Sequence, residues 1–130
     1  MSDERRLSWG EFWPFYLGEH RDRVNQILHA IGSLSGLTCL GFAIYLRNPW
    51  LILLGLVIGY GCAWVGHFVF EKNRPATFRY PLKSFCSDWR LLALVLSGRV
   101  GAAVQRLEPK QPAEPQPAPT AEPSGTPLVA

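Results

Sequence analysis

Charged side chains are missing from two long stretches of the sequence. None occurs from Asn48 to Phe70 unless His67 is protonated, and none from Val24 to Leu46 unless His29 is protonated. A helix of two dozen residues reaches roughly 33–36 Å, enough to cross a hydrocarbon core ~30 Å thick with some tilt. The two stretches therefore predict a pair of membrane-spanning helices joined in a hairpin near Asn48.

Cysteine is also scarce, and its spacing excludes two kinds of site. Cys39, Cys62 and Cys86 lie too far apart for a zinc or redox motif. Cys39 and Cys62 fall inside the apolar stretches, so we interpret them as small buried hydrophobes. The sequence shows no internal repeat, and no cleavable signal is expected at the amino terminus.

Basic residues are few between the apolar stretches and many on either side. Of the 13 lysines and arginines, four precede Val24, Arg47 lies in the connection, and eight follow Phe70. The positive-inside rule then places both termini on the cytoplasmic side. No basic stripe alternates with aromatic residues, so we attribute the charge to orientation and lipid headgroups and predict no nucleic-acid partner.

Capping signals divide the remainder of the chain into further helices. Ser8 with Glu11 predicts a capping box for a short aromatic helix at the membrane interface, and Asp22 predicts the start of the first span. Ser84 or Ser87 is the candidate cap of a last amphipathic helix reaching about Leu107. That helix is expected to lie at the interface or to form a third span.

The whole pattern predicts an all-α protein with two regions. Residues 1–107 form a membrane-embedded helical domain, and residues 108–130, which hold seven prolines, form a disordered tail. Glycines recur in both apolar stretches, as in Gly55-x-x-x-Gly59. Such small residues permit close helix contact, so oligomers through glycine-rich faces are one expectation.

The chain has only three histidines, and hairpin geometry brings two of them together. His29 and His67 are equidistant from a turn at Asn48, so they should lie at one depth on neighbouring helices. On a straight helix His20 would point away from His29, which predicts a helix break between His20 and Val24. Three imidazoles converging at one level predict a transition-metal site. The competing interpretation is isolated interfacial histidines bonded to backbone.

Acidic residues near His67 extend this candidate site. Glu71 follows His67 by four residues, on the same face of an α-helix, and is a candidate fourth ligand or a partner of a ligand. Glu19 competes for that role. Three histidines are too few for a membrane di-iron oxygenase of the many-histidine type.

Three ordered blocks, covering roughly Ser8 to Trp89, carry a family resemblance. They read Phe12-Trp13-Pro14-Phe15-Tyr16-Leu17-x-Glu19-His20, then Asn25-x-x-Leu28-His29-x-x-Gly32, then Trp64-x-x-His67-x-x-x-Glu71-x-Asn73-x-Pro75-Ala76-Thr77-Phe78 followed by Tyr80-Pro81-Leu82-x-Ser84. With these blocks the chain resembles the 2-hydroxy fatty acid dioxygenase family. Its characterised fungal member acts in phytosphingosine breakdown, and it has many bacterial relatives.

The resemblance implies an iron(II)-dependent membrane enzyme that shortens 2-hydroxy fatty acids by one carbon with dioxygen. It implies His20, His29 and His67 as metal ligands and Glu71 as a catalytic residue. Lys72, Asn73 and Arg74 are the expected substrate-binding residues, with Arg21 as an alternative holder of the carboxylate. The implied location is a multi-pass protein of a bacterial inner membrane. No motif for 2-oxoglutarate, flavin or nicotinamide is recognisable.

Two other functions are open at this level. A zinc hydrolase of a lipid ester or amide would use the same histidines, with Glu71 as the base. A non-enzymatic membrane adaptor would use structural histidines and recruit a partner through the proline-rich tail. Metal analysis and the oxygen dependence of turnover distinguish the zinc hydrolase from a dioxygenase. Deletion of the tail distinguishes the adaptor from an enzyme.

Overall fold

The computed structural model describes residues 6–107, and within that range all regular structure is helical. This confirms the predicted all-α class; the predicted disorder of residues 108–130 lies outside the described residues. The elements are α1 (Trp9–Gly18), α2 (Arg23–Leu46), α3 (Trp50–Val65) with a π-helical extension (Gly66–Glu71), a 3₁₀ turn (Ala76–Phe78), α4 (Pro81–Leu96) and α5 (Val100–Gln105).

Polar caps set the first two helix starts, as predicted. The Ser8 hydroxyl accepts a hydrogen bond from the Glu11 N–H at 3.3 Å, and the Glu11 carboxylate accepts from the Ser8 N–H at 2.9 Å. The Asp22 carboxylate accepts from the N–H groups of Val24 and Asn25. Between these helices the chain leaves helical geometry, which confirms the predicted break beside His20.

The hairpin between α2 and α3 closes at Arg47 and Asn48. Arg47 takes a left-handed conformation (φ 52°), and the Asn48 N–H donates to the carbonyl of Ala43 at 2.9 Å. The Asn48 side-chain oxygen accepts from the Trp50 N–H at 3.1 Å, which starts α3. The two helices therefore run antiparallel from a turn at the predicted position.

Glycines let α2 and α3 approach at backbone distance. A Cβ on Gly32 would lie 3.0 Å from the Gly59 carbonyl oxygen, and one on Gly55 would lie 2.9 Å from the Cys39 Cβ. Side chains at these positions would force the helices apart. Much of the glycine-rich face predicted for oligomers is thus occupied within the chain, whereas Gly41 and Gly61 face open space.

Both hairpin helices are long and apolar enough to cross a membrane. Only 22% of the most apolar stretch of α2 and 17% of that of α3 is buried. The core helix of a water-soluble protein would be mostly buried, so these helices present apolar side chains that the described chain does not cover.

The predicted bounds of the last helix were wrong at both ends. The helix α4 begins at Pro81, not at Ser84 or Ser87, because proline at the first helical position needs no N–H partner and has the right φ. It ends at Leu96, where Gly98 (φ 71°) and Arg99 donate their N–H groups back to carbonyls of the last turn. The short α5 follows.

The buried core lies beside the hairpin, between α1 and α4. It consists of Phe12, Tyr16, Leu17, Ala76, Tyr80 and Leu91. The aromatic residues of α1 therefore do more than mark an interface. They dock α1 onto α4 and so bring the end of α1, with His20, against the hairpin.

Candidate metal centre

The three histidines converge from three separate segments. His20 follows α1, His29 lies on α2, and His67 lies in the π-helical extension of α3. The Nε2 atom of His29 is 3.1 Å from that of His20 and 3.2 Å from that of His67. All three side chains are buried, with exposed fractions of 0%, 7% and 2%. The predicted equal depth of His29 and His67 is confirmed. The break between α1 and α2 allows His20 to lie beside them.

The ring of His20 is oriented by the helix that precedes it. Its Nδ1 lies 2.6 Å from the carbonyl oxygen of Tyr16 and its ring stacks on the Tyr16 ring, with centroids 4.1 Å apart. A carbonyl only accepts, so Nδ1 carries the proton and Nε2 is left with its lone pair. Burial, and then the nearby rings of His29 and His67, lower the pKa of His20 well below its usual range. His20 is therefore neutral at pH 7.

Asn73 orients His67 and ties it to the end of α1. The Asn73 side-chain oxygen lies 2.7 Å from Nδ1 of His67, and its amide donates to the backbone and carboxylate oxygens of Glu19 at 3.0 and 2.7 Å. Because the amide nitrogen faces Glu19, the oxygen must face the ring. His67 Nδ1 therefore donates, and its Nε2 is again the free acceptor.

Asp88 of α4 orients His29. Its Oδ1 lies 3.3 Å from Nδ1 of His29 and also accepts a short hydrogen bond from the hydroxyl of Tyr16. Burial, and then the Asp88 carboxylate, raise the pKa of Tyr16 well above its usual value, so the phenol keeps the proton that it donates. The carboxylate can only accept, which places the proton of His29 on Nδ1.

These contacts leave three Nε2 lone pairs facing one another. The ring planes are close to perpendicular, at 77°, 79° and 87°, so each lone pair approaches the common centre from a different side. Three buried acceptors with no proton between them repel, and a cation at their centre removes that cost. Imidazole nitrogens oriented by oxygen acceptors are the usual protein ligands of transition metals. The cluster is chemically suited to hold one metal ion.

Gly66 lets α3 approach α2 at the level of the cluster. A Cβ on Gly66 would lie 2.0 Å from the side-chain oxygen of Asn25 and 3.2 Å from its Cα. Asn25 is completely buried, and within the described residues that oxygen has no hydrogen-bond partner. The backbone contact at Gly66 is thus what allows the next residue, His67, to reach His29.

Glu71 lies outside the histidine cluster. Its carboxylate accepts from the Asp22 N–H at 2.5 Å and from the Asn25 side chain at 3.4 Å. On an α-helix, side chains four residues apart lie on the same face. The π-helical turn at Gly66–Glu71 contains more residues per turn, so Glu71 does not lie on the same face as His67. The catalytic role of Glu71 stays a prediction, while its contacts hold the start of α2 beside His20.

The predicted substrate-binding residues have different surroundings. Lys72 ends the π-helical turn in a left-handed conformation (φ 56°) and is exposed. Arg74 is exposed too, with its guanidinium 5.8 Å from the centre of the Phe78 ring. Asn73 is engaged with His67 and Glu19. Substrate binding by these three residues stays a prediction.

Sequence reasoning missed Tyr16 and Asp88. One signal for Asp88 was present, because it is the only acidic residue between Glu71 and Glu108, in a segment that otherwise carries only basic charges. A lone carboxylate on such a helix indicates a specific partner. Tyr16 carried no comparable signal, since it stood among five other aromatic or apolar residues of α1.

Comparison with known proteins identifies a family for this chain. The profile of one family, described as 2-hydroxy-palmitic acid dioxygenase Mpo1-like, matches residues 7–100, which include all three histidines, Asn73 and Asp88. Neither the curated proteins nor the solved structures contain a significant match. Because the profile covers most of the chain, this protein belongs to the Mpo1-like family.

Proposed function

We propose that this protein is a membrane-embedded, iron(II)-dependent dioxygenase that shortens 2-hydroxy fatty acids by one carbon. One observation carries the proposal: three buried Nε2 atoms converge, and an oxygen acceptor orients each ring through Nδ1. The family description supplies the substrate class and the reaction class.

The reaction balances without a further cofactor. A 2-hydroxy acid, R–CH(OH)–COOH, and dioxygen give R–COOH, carbon dioxide and water. The substrate loses four electrons when the bond between C1 and C2 breaks, and dioxygen gains four. Ferrous iron, when bound, supplies the site at which dioxygen and the hydroxy acid react. Three neutral protein ligands would leave the charge of a divalent cation uncompensated, which would favour binding of the anionic substrate headgroup beside it.

The residues of the chain have distinct tasks in this proposal. The Tyr16 carbonyl, Asn73 and Asp88 keep each imidazole in the tautomer that presents Nε2. Asp88 also places a negative charge beside His29, which strengthens that nitrogen as a donor to a cation. Lys72 and Arg74, at the exposed end of α3, are the proposed partners of the substrate carboxylate, and Glu71 the proposed acid–base group.

The remaining part of the proposal concerns how the hairpin and the histidines lie in a membrane. The uncovered apolar surface of α2 and α3 fits a bilayer, and the histidines lie at the end of the hairpin away from its turn. From the distribution of basic residues we expect that end, with both termini, on the cytoplasmic side. Labelling of cysteines introduced before Trp9 and after Leu107 tests this. Labelling of both from the outside only would reverse the orientation.

The decisive measurement is iron content and dioxygen uptake. Protein purified without oxygen should bind one iron per chain and consume dioxygen when given a 2-hydroxy fatty acid. His29→Ala and His67→Ala should lose both properties, because two remaining imidazoles hold ferrous iron poorly. Thr38→Ala, on the same helix as His29 but distant from the cluster, is the control. Full iron and full turnover in both histidine variants would refute the site.

The same purified protein can be used to distinguish a zinc hydrolase from the proposed dioxygenase. Hydrolysis would persist without oxygen and with zinc as the only metal, and it would require a base beside the metal. The Glu71 carboxylate binds the start of α2, so it is no better placed to serve a hydrolase than a dioxygenase. The family description favours the dioxygenase.

A further inference from the structure

An apolar groove runs along the hairpin away from the histidines. Its walls come from α2, α3 and α4, and its volume is about 260 Å³. His29 and Asp88 line one end, and Leu40 and Ile52 line the other. The groove and the metal centre therefore share residues, so a molecule bound with its headgroup at the histidines has direct access to the groove.

The floor of the groove is made by residues without large side chains. Gly32 and Gly36 of α2 and Gly55 and Gly59 of α3 line it. The same glycines allow the two backbones to touch, so the groove follows the seam of the hairpin. Phe85 and Trp89 of α4 form a wall near the histidines. Such an apolar groove, lined by helix backbone and aromatic rings, fits a single unbranched chain.

The length of the groove can be counted along α2. Eleven residues separate its two ends, His29 and Leu40, which at ~1.5 Å per residue is about 16 Å. An alkyl chain advances ~1.3 Å per carbon, given a carbon–carbon bond of ~1.5 Å at the tetrahedral angle. About 13 carbons therefore fit between the histidines and Leu40. With the two headgroup carbons, this corresponds to an acid of about 14 to 16 carbons.

We propose that this groove binds the acyl chain of the substrate and that Ser33, Leu40 and Ile52 set the chain length that is accepted. The inference rests on the proposed function for the nature of the headgroup. It places the acyl chain of the substrate against the protein and not free in the bilayer. Ser33 lines the groove about 6 Å beyond His29, whereas Leu40 and Ile52 meet at its far end.

Paired substitutions test the assignment. Ser33→Leu narrows the groove after about five carbons, so turnover of acids with 14 to 16 carbons should fall about 10-fold or more, while a six-carbon acid keeps its rate. Ser35→Leu makes the same change on α2 at a position outside the groove and is the control. At the far end, Ile52→Trp should shift the optimum to shorter acids, whereas Leu53→Trp should not. Leu40→Ala should shift it to longer acids.

A binding measurement keeps the groove separate from the reaction. A 2-hydroxy acid of 16 carbons with a photoreactive diazirine at its methyl end is added to the protein in lipid nanodiscs, and the adducts are mapped by mass spectrometry. Adducts concentrated around Leu40 and Ile52 support the groove even if no acid is turned over, a result that would refute only the proposed function. Adducts spread over exposed residues outside the groove, such as Ile44 and Leu53, would overturn the inference. Identical chain-length profiles for Ser33→Leu and Ser35→Leu would overturn it as well.

Discussion

Replacing Gly66 by alanine is the sharpest test of how the fold positions the site. A Cβ at this position would lie 2.0 Å from the side-chain oxygen of Asn25, where ordinary contacts begin near 3.4 Å. If the Asn25 side chain rotates away, the Cα of the same residue remains at 3.2 Å, and it belongs to the backbone of α2. The helices must therefore separate by at least a few tenths of an ångström next to His67.

The cost in stability should be small, and the cost in activity large. Alanine in place of a helical glycine gains up to ~1 kcal/mol, and overpacking costs ~1–3 kcal/mol, so the two effects largely offset each other. The imidazoles, however, must meet within a few tenths of an ångström to share an ion. A misplacement of about 1 Å in a reacting geometry costs on the order of 100-fold in rate. We expect a loss of turnover approaching that size, with weaker iron binding.

The experiment compares three variants: Gly66→Ala, Gly61→Ala and a double variant. Gly61→Ala lies on the same helix and meets open space, so it gains helix stability and leaves the site unchanged. The double variant Gly66→Ala with Asn25→Ala removes the first clash and should recover part of the activity. Iron affinity, dioxygen uptake and thermal unfolding are measured for each in nanodiscs. If Gly66→Ala behaves like Gly61→Ala in affinity and turnover, close approach at this residue does not position His67.

Four further outcomes are expected. Asp88→Asn should weaken iron binding by about 10–100-fold, because an amide is a poorer acceptor for the ring of a metal-binding histidine; an unchanged dissociation constant would contradict the orienting role. Tyr16→Phe should have a smaller effect in the same assay. Tyr80→Phe, which loses a hydroxyl that accepts from the N–H of Leu7 at 3.1 Å, away from the histidines, should have none. His20 has a lowered pKa, so the folded state binds fewer protons than the unfolded state, in which the pKa is ~6.5. Metal-free protein should therefore keep its full stability above about pH 6.5 and lose it as the pH falls, and His20→Gln should flatten that dependence of the unfolding temperature. Deletion of residues 108–130 should leave dioxygen uptake intact, whereas a full-length protein without uptake whose cellular role is lost with the tail would favour the adaptor.

Sequence reasoning located the histidines because their meeting depends on few quantities. A hairpin is fixed by its turn, so Asn48 alone determines that His29 and His67 share a depth. The break after α1 followed from the opposed directions that His20 and His29 would have on one straight helix. The partners of the rings depend instead on how α4 docks beside the hairpin. No periodicity in the sequence encodes that docking, and Asp88 was therefore missed.

Local chemistry accounts for the other differences. Ser84 and Ser87 are good cap residues, but Pro81 starts the helix earlier, and Ser84 is buried with its hydroxyl unpartnered within the described residues. The interpretation of Glu71 assumed α-helical spacing after His67. The π-helical turn violates that assumption, and π-helical turns carry no clear sequence signature.

The three histidines belong to separate segments of the chain that no disulfide joins. One follows the amino-terminal helix, one lies on α2 and one ends α3, and all three cysteines are free. An ion shared by these segments would cross-link the chain much as a disulfide does in a secreted domain, by closing loops that the unfolded chain must otherwise pay for in entropy. The hairpin can insert into a bilayer on the strength of its apolar surface alone. An ion would add to the core contacts that dock the amino-terminal helix, so metal supply would influence how firmly the site is closed.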